Sequence, residues 1–320
     1  HTLSLHDALP ICLTVLSNSG EPSASATLTI RGTNSINSGT APLYILDGVA
    51  ISASDFNTIN PADIESMSVL TGAAAAALYG SEAANGVVMI TTKKGRKGAP
   101  EVNISNSTTF SSPFVTPEFQ NTYGSETGDF TSWGSKLATP TDYDPLDFFQ
   151  TGYNTPHTVS MGIGRDNGNT YLSAGFNDAR GVIPNNDYSR YNITFSHTED
   201  FLDDRLHLSV LAMYIKVKEQ NMLAGGQYYN PLVPLYLMSP SDDINKYAVY
   251  ERYDASRNFP LQYWTWGSQD LQMQNPFWIV NRNMFNTDKN RYLLGGSLKY
   301  DITDWMNISA RVRTDYNNTL

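Results

Sequence analysis

Side chains able to do chemistry are few and scattered. The five histidines (His1, His6, His157, His197 and His207) and the single cysteine, Cys12, show no metal-ligand spacing. One cysteine also excludes an intramolecular disulfide framework. His197 and His207 fall on facing strands of an expected hairpin, the one place where a metal pair could be sought. There is no G-x-S-x-G, H-E-x-x-H or Walker A loop, and no spacing pairs two of the 31 acidic residues for acid–base work. Gly162, Gly164 and Gly168 approach a dinucleotide loop, but they sit at a β-turn rather than before a helix. No catalytic residue, cofactor or metal is therefore expected. The chemistry on offer is recognition. Residues 218–290 are rich in aromatic side chains, among them Tyr228, Tyr229, Tyr263, Trp264, Trp266 and Trp278. Flat rings with a polar edge stack on sugars or clasp a peptide. They also pack on one another within a long loop.

The elements that must hold these residues begin with composition. A chain of 320 residues allows one large domain or two. Its 21 basic and 31 acidic residues leave a net charge of −10, which opposes phosphate backbones and argues against a nucleic-acid binder. Charged residues are 16% of the chain and aromatics 12%, a poor match to a cytosolic enzyme. No apolar run is long enough for a transmembrane helix. Barrel strands alternate, so they escape a hydropathy scan.

Residues 13–98 read as a small α+β unit. Strands are expected at 26–31, 42–46, 66–70 and 86–92, with a turn at Asp47-Gly48 and a helical turn around Asp63 and Glu65. The alanine-rich stretch 72–79, ending at Tyr79 and Gly80, reads as a tightly packed helix without ligand chemistry. From residue 101 the period changes to two. Strands are expected at 102–110, 158–164, 170–178, 188–198, 206–217, 292–300 and 305–316. Their connections run long, short, medium, short, very long, short. Outer-membrane barrels show that asymmetry, with tight turns on one rim and extended loops on the other, whereas sandwiches have more even turns. Tyr171, Tyr188, Tyr191, Tyr214, Tyr292, Tyr300, Trp305 and Tyr316 at strand ends suit interfacial girdles.

Three stretches (30–37, IRGTNSIN; 42–49, PLYILDGV; 60–95, NPADIESMSVLTGAAAAALYGSEAANGVVMITTKKG) resemble the plug domain of TonB-dependent outer-membrane receptors, more narrowly the SusC/RagA branch. The resemblance extends through 148–164, 171–192, 275–283 and 297–316. One departure is Ala74-Ala75-Ala76, where the family usually has a serine; only packing should be affected.

The resemblance implies an α+β plug domain followed by antiparallel transmembrane β-barrel strands, an incomplete part of a 22-stranded barrel. The expected division is 1–12 as a non-native leader, 13–98 as plug and 99–320 as the first part of the barrel, both ends being read as cut. It further implies no enzyme, a bacterial outer-membrane location and TonB-dependent import of a glycan oligomer or peptide. The implied partners are TonB with its energising complex, a SusD-like surface lipoprotein, the ligand and outer-membrane lipid. The plug-motif positions are Arg31, Gly32, Asp47, Gly48, Asp63, Glu65, Tyr79, Gly80, Asn85 and Gly86, the glycines being read chiefly as turn residues. Arg31, Asp47 and Glu65 are expected to pair across the plug–barrel seam with Arg311 and Arg313, because a polar seam releases under a pull that a dry apolar one would resist. The aromatic loop is expected to touch ligand or lid. Two other readings are a non-transporting outer-membrane binding protein or adhesin, and a soluble carbohydrate-active β-protein.

Overall fold

The computed structural model describes residues 13–16, 21–24, 27–30, 32, 40–126, 133–141, 144–266 and 273–320. In the first unit, β1 (Leu13–Leu16) and β2 (Thr27–Ile30) form an antiparallel pair. β3 (Leu43–Leu46) and β4 (Val49–Ile51) close a hairpin at Asp47-Gly48. Both turn residues are left-handed (φ 47° and 82°), as a type I′ turn requires. α1 (Ala53–Phe56) is one turn capped by the Ser52 hydroxyl, and a 3-10 turn, Pro61–Asp63, is capped by Asn60. β5 (Ile64–Leu70), α2 (Ala73–Tyr79) and β6 (Val87–Thr92) complete a sheet of order β4-β3-β6-β5, in which β3 and β6 run parallel. The Ala-rich α2 buries Ala75 against Ile45, Ala83 and Val87; small side chains let it approach the sheet closely.

The second unit is an antiparallel meander. β7 (Gly98–Asn106) and β8 (Thr109–Ser111) both pair with β9 (Gly152–Gly164), so the single strand expected at 102–110 is broken in two. β10 (Gly168–Arg180), β11 (Asp187–Phe201) and β12 (Leu206–Gln220) follow. A long excursion then carries α3 (Leu232–Leu237), the hairpin β13 (Glu251–Asp254) and β14 (Phe259–Gln262), and α4 (Pro276–Arg282). β15 (Asn286–Thr303) and β16 (Met306–Thr319) close the chain, and the sheet runs β16-β15-β12-β11-β10-β9-β7. Connections 165–167, 202–205 and 304–305 lie on one rim, and 112–151, 181–186 and 221–285 on the other. The asymmetry read from the sequence is present.

The two faces of this wall differ as the alternation demands. On β11, Asn192, Thr194 and Ser196 are buried toward the first unit, while Tyr191, Ile193 and Phe195 are exposed. Val159, Met161, Leu172, Leu294, Leu298, Ile308 and Val312 extend the exposed apolar face from β9 to β16. Soluble monomers rarely expose more than a few hundred Å² of contiguous apolar surface, whereas a barrel presents such a band to lipid. Aromatic pairs mark its edge: Phe176 and Tyr191 centroids lie 4.7 Å apart, Tyr214 and Tyr292 5.0 Å, Tyr292 and Tyr316 6.4 Å. From Tyr292 to Tyr300 is eight residues along one strand. At about 3.4 Å per residue and a tilt of about 40°, that spans about 21 Å of membrane depth. Two tyrosines expected in the girdle belong elsewhere: Tyr171 and Tyr188 are buried on the inner face. β12 departs from simple alternation. Its inner face is also apolar (Leu211, Met213, Ile215, Val217) because it packs on the plug and on the base of the long loop.

Candidate functional site

The plug meets the wall along residues 52–63. Asp63 is fully buried, 0% exposed. Its carboxylate accepts hydrogen bonds from Ser173 Oγ (2.5 Å), Thr194 Oγ1 (2.6 Å) and Tyr171 OH (3.0 Å). Ser173 and Thr194 are register partners, so two neighbouring strands converge on one plug residue. Hydrogen bonds to a charged group contribute about 1.5–3 kcal/mol each and leave a severe penalty when broken in a buried place. Beside it, Asn60 Nδ2 donates to Thr158 Oγ1 at 3.2 Å. Gly175 makes room for this approach: a Cβ there would lie 2.6 Å from Asn60 Nδ2.

A second contact is ionic. Arg291 is 1% exposed and grips Asp315 with Nε and Nη2 (2.8 and 2.5 Å). Its Nη1 reaches the plug, donating to the Asp55 carbonyl (2.8 Å) and to Thr58 Oγ1 (3.2 Å). Lys289 Nζ lies 3.5 Å from the Asp55 carboxylate. Arg190 Nη1 donates to the Asn57 carbonyl (3.2 Å) and Asn192 Nδ2 to that of Thr58 (3.0 Å). The Asp55 carbonyl is shared with the Thr58 amide and hydroxyl, while the carbonyls of Asn57 and Thr58, at and just beyond the C-terminal cap of α1, take donors from the wall. The seam is not polar throughout, contrary to the expectation. Ile30, Tyr44, Leu46, Ile59, Val88 and Ile90 form one apolar cluster with Met213 and Leu293 of the wall.

The residues singled out in the sequence are divided by the fold. Arg31 and residues 1–12 lie outside the described residues. Gly32, Gly80 and Gly86 have φ of 79°, 65° and 91°, in keeping with turn roles. Tyr79 packs against the α2 cluster, and Asn85 Nδ2 donates to the Ala41 carbonyl at 3.5 Å. Arg313 Nη1 does reach the plug, but its acceptor is the Leu46 carbonyl (2.7 Å) rather than a carboxylate. Arg311 lies against Gly48, where a Cβ would sit 2.8 Å from its Nη1. Asp47 is taken up locally, accepting from the Thr92 amide (3.0 Å) and hydroxyl (2.7 Å). Glu65 pairs with Arg96 at 3.4 Å on an exposed surface. Among the described residues, then, neither acid forms the expected ion pair with Arg311 or Arg313. Asp55, Lys289 and Arg291 carry the ionic contact instead. Two signals could have found them: the Ser52-x-x-Asp55 capping pattern, and cations on the same face of β15 as the inward Leu293.

The aromatic loop is folded on itself. Trp264 and Trp266 are 2% and 4% exposed, buried with Phe148, Ile183, Leu235, Met238, Ile244, Tyr247 and Val280; they form the loop core and do not face a ligand or lid. Asn275 pins this core, donating to the carbonyls of Tyr247 (2.9 Å) and Tyr263 (2.8 Å) while capping α4. Asp242 gathers Tyr247 OH (2.5 Å), Trp266 Nε1 (3.0 Å) and Lys246 Nζ (3.2 Å). Burial pushes the Asp242 carboxyl up, but these donors and the Asp243 amide outweigh it and hold it below its ordinary value. Burial, with the bond to Asp242, pushes Tyr247 up to about 12. Tyr228 and Tyr229 are exposed, and Tyr263 and Trp278 half-buried. At the opposite rim, His207 lies between Asp200 (2.5 Å) and Asp301 (2.8 Å), tying three strands together rather than pairing with His197.

A plug seated on an antiparallel wall with a lipid-facing exterior defines a TonB-dependent receptor, and the comparisons agree. Residues 2–87 match the family described as TonB-dependent Receptor Plug Domain. The chain is 30% identical over 285 residues to the TonB-dependent receptor SusC of Bacteroides thetaiotaomicron, covering 82% of this chain and 28% of that one. It is 31% identical to the TonB-dependent receptor P39 of Formosa agariphila, over 77% of this chain and 24% of that one. In fold, the RagAB peptide transporter structure superposes with a TM-score of 0.74 at 23% identity, over 96% of this chain and 38% of that chain. The chain belongs to the TonB-dependent receptors, which are outer-membrane proteins and transporters rather than enzymes. Within them it is of the SusC/RagA type, carrying the plug and part of the barrel wall. It spans about a quarter of the length of these two curated relatives.

Proposed function

We propose that the chain is the gated front portion of an importer that draws a glycan oligomer or peptide across the outer membrane, with 13–98 as plug and 99–320 as barrel wall. The observation that carries this reading is the docking edge at 52–63. There the plug is held by hydroxyls on Asp63 and by guanidinium and amide donors on backbone carbonyls. Such contacts exchange for water as they break, so along this edge a directed pull meets discrete steps, and the apolar cluster around Met213 and Leu293 adds its own resistance. TonB supplies the pull in this reading. A SusD-like lipoprotein covers the long-loop rim, where Tyr228, Tyr229, Tyr263 and Trp278 remain to meet ligand or lid. RagAB, a peptide importer by its own description, motivates the peptide class, and the aromatic side chains left on the long-loop rim suit a glycan as well. The test follows uptake of a mixed pool of labelled oligosaccharides and peptides by wild-type cells and by cells lacking the gene, with and without a proton uncoupler. Uncoupler-sensitive uptake of one component, absent from the deletion strain, is expected. Identical uptake by both strains refutes the proposal.

A further inference from the structure

The loops of the long rim are tied to the plug at a place well away from the docking edge. The connection between β1 and β2, of which 21–24 are described, meets residues 165 to 202 positions further along the chain. Glu21 Oε1 accepts hydrogen bonds from the Leu223 amide and from Asn186 Nδ2 (3.4 Å). Beside it, Ser23 Oγ donates to Met222 Sδ (2.7 Å). These partners form the base of the loop body. Asn186 is 1% exposed, and its Nδ2 also donates to the Asn221 carbonyl (2.8 Å). Asn221 joins the two legs of the long excursion, its amide donating to the Phe285 carbonyl (2.7 Å) and its Nδ2 to that of Val280 (3.0 Å). Gln150 brings in the first loop, donating from Nε2 to the carbonyls of Gly181 (3.0 Å) and Ile183 (3.2 Å). All three long-rim connections therefore meet at one hub. Leu223 is the joint between hub and plug. Its side chain packs against the loop core that contains Trp264, while its amide is held by the plug. A shift of that core draws the amide from Glu21, and withdrawal of Glu21 frees the base of the core. By linkage the two effects are reciprocal. Hydrogen bonds to a charged acceptor are among the stronger ones, yet they exchange for water once parted.

We propose that Glu21 is a latch: it positions the plug's outer tip against the loop body, a load on the loops shifts Leu223 and frees the tip, and the plug leaves its seat only after this contact has parted. The latch is a property of the fold; its part in transport rests on the import reading. The receptor, as its whole gene encodes it, is purified in detergent and followed by amide hydrogen exchange. Glu21→Ala should speed exchange at Leu223 by about tenfold or more, and Glu21→Gln, which keeps the accepting oxygen, should speed it less. Exchange across the β3–β4 hairpin should match the wild type in both, showing that the plug is still folded. In cells, Ser23→Cys is combined with Met222→Cys in a background without other cysteines. Oxidation should join the pair and abolish energised uptake of the labelled pool, and a reductant should restore it, a response that a merely structural contact would not give. Unchanged exchange at Leu223 in Glu21→Ala, failure of the pair to cross-link, or full uptake through the cross-linked pair overturns the latch. If wild type and reduced pair alike show no energised uptake, the import reading alone falls, and the exchange comparison still decides the latch.

Discussion

Arg291 is the residue on which the ionic contact turns. It holds Asp315 on its own sheet and two plug oxygens at once, from a position closed to water. Truncating it would remove four hydrogen bonds made from a fully buried side chain, although Asp315 is open to water and Asp55 keeps Lys289 and the Ser52 hydroxyl. Arg291→Ala should therefore cost about 2–3 kcal/mol, and Lys289→Ala, at a more exposed partner of the same Asp55, under about 1 kcal/mol. Calorimetry of the receptor should show an early plug transition in the first variant only; equal effects would mean that the contact is spread evenly. None of this was readable from charge complementarity. That argument favours any acid with any arginine, and it selected Asp47, Glu65, Arg311 and Arg313. A local acceptor duty at Thr92 and a local partner in Arg96 claimed the two acids first.

At the level of elements, alternation was a sound guide wherever one neighbour was lipid and the other the lumen. It placed Asn192, Thr194 and Ser196 opposite Tyr191, Ile193 and Phe195 correctly. It was uninformative on β12, where both faces meet apolar matter, and inside the long loop, where aromatic content is compatible with either a ligand surface or a core. The loop proves to have its own core, and its polar centre gives it a pH window. Asp242, depressed in the fold, stabilises the loop above the ordinary carboxyl value of 3.8, and this is lost as pH falls through its lower folded value. Tyr247, raised in the fold, stabilises it below pH 10, and this is lost as pH rises from 10.0 toward about 12. Amide hydrogen exchange across 235–266 should accelerate at both limits. In Asp242→Asn the acid-side change should disappear; an unchanged acid limit would remove Asp242 from this role.

For the whole molecule, the controlling fact is that the wall is turned inside out relative to a soluble protein. Ile193 lies mid-strand on the outward face, half-exposed in the isolated chain. Ile193→Arg should destabilise the receptor in lipid by about 2–4 kcal/mol, while Thr194→Ser on the inner face should cost well under half of that. Folding equilibria in vesicles measure both, and equal penalties would deny the lipid assignment.

Period, turn chemistry and loop asymmetry are local properties of the chain. They were enough to establish four plug strands and the Ala-rich helix, though not β1 or β4, together with the wall, its outward face and its two unlike rims. Which side chains hold the plug to the wall depends on contacts between residues more than a hundred positions apart, such as Asp63 with Ser173 and Arg291 with Thr58. No period encodes such a meeting. It arises only when the fold brings the acceptors at and beyond the end of α1 against the inward donors of the wall strands.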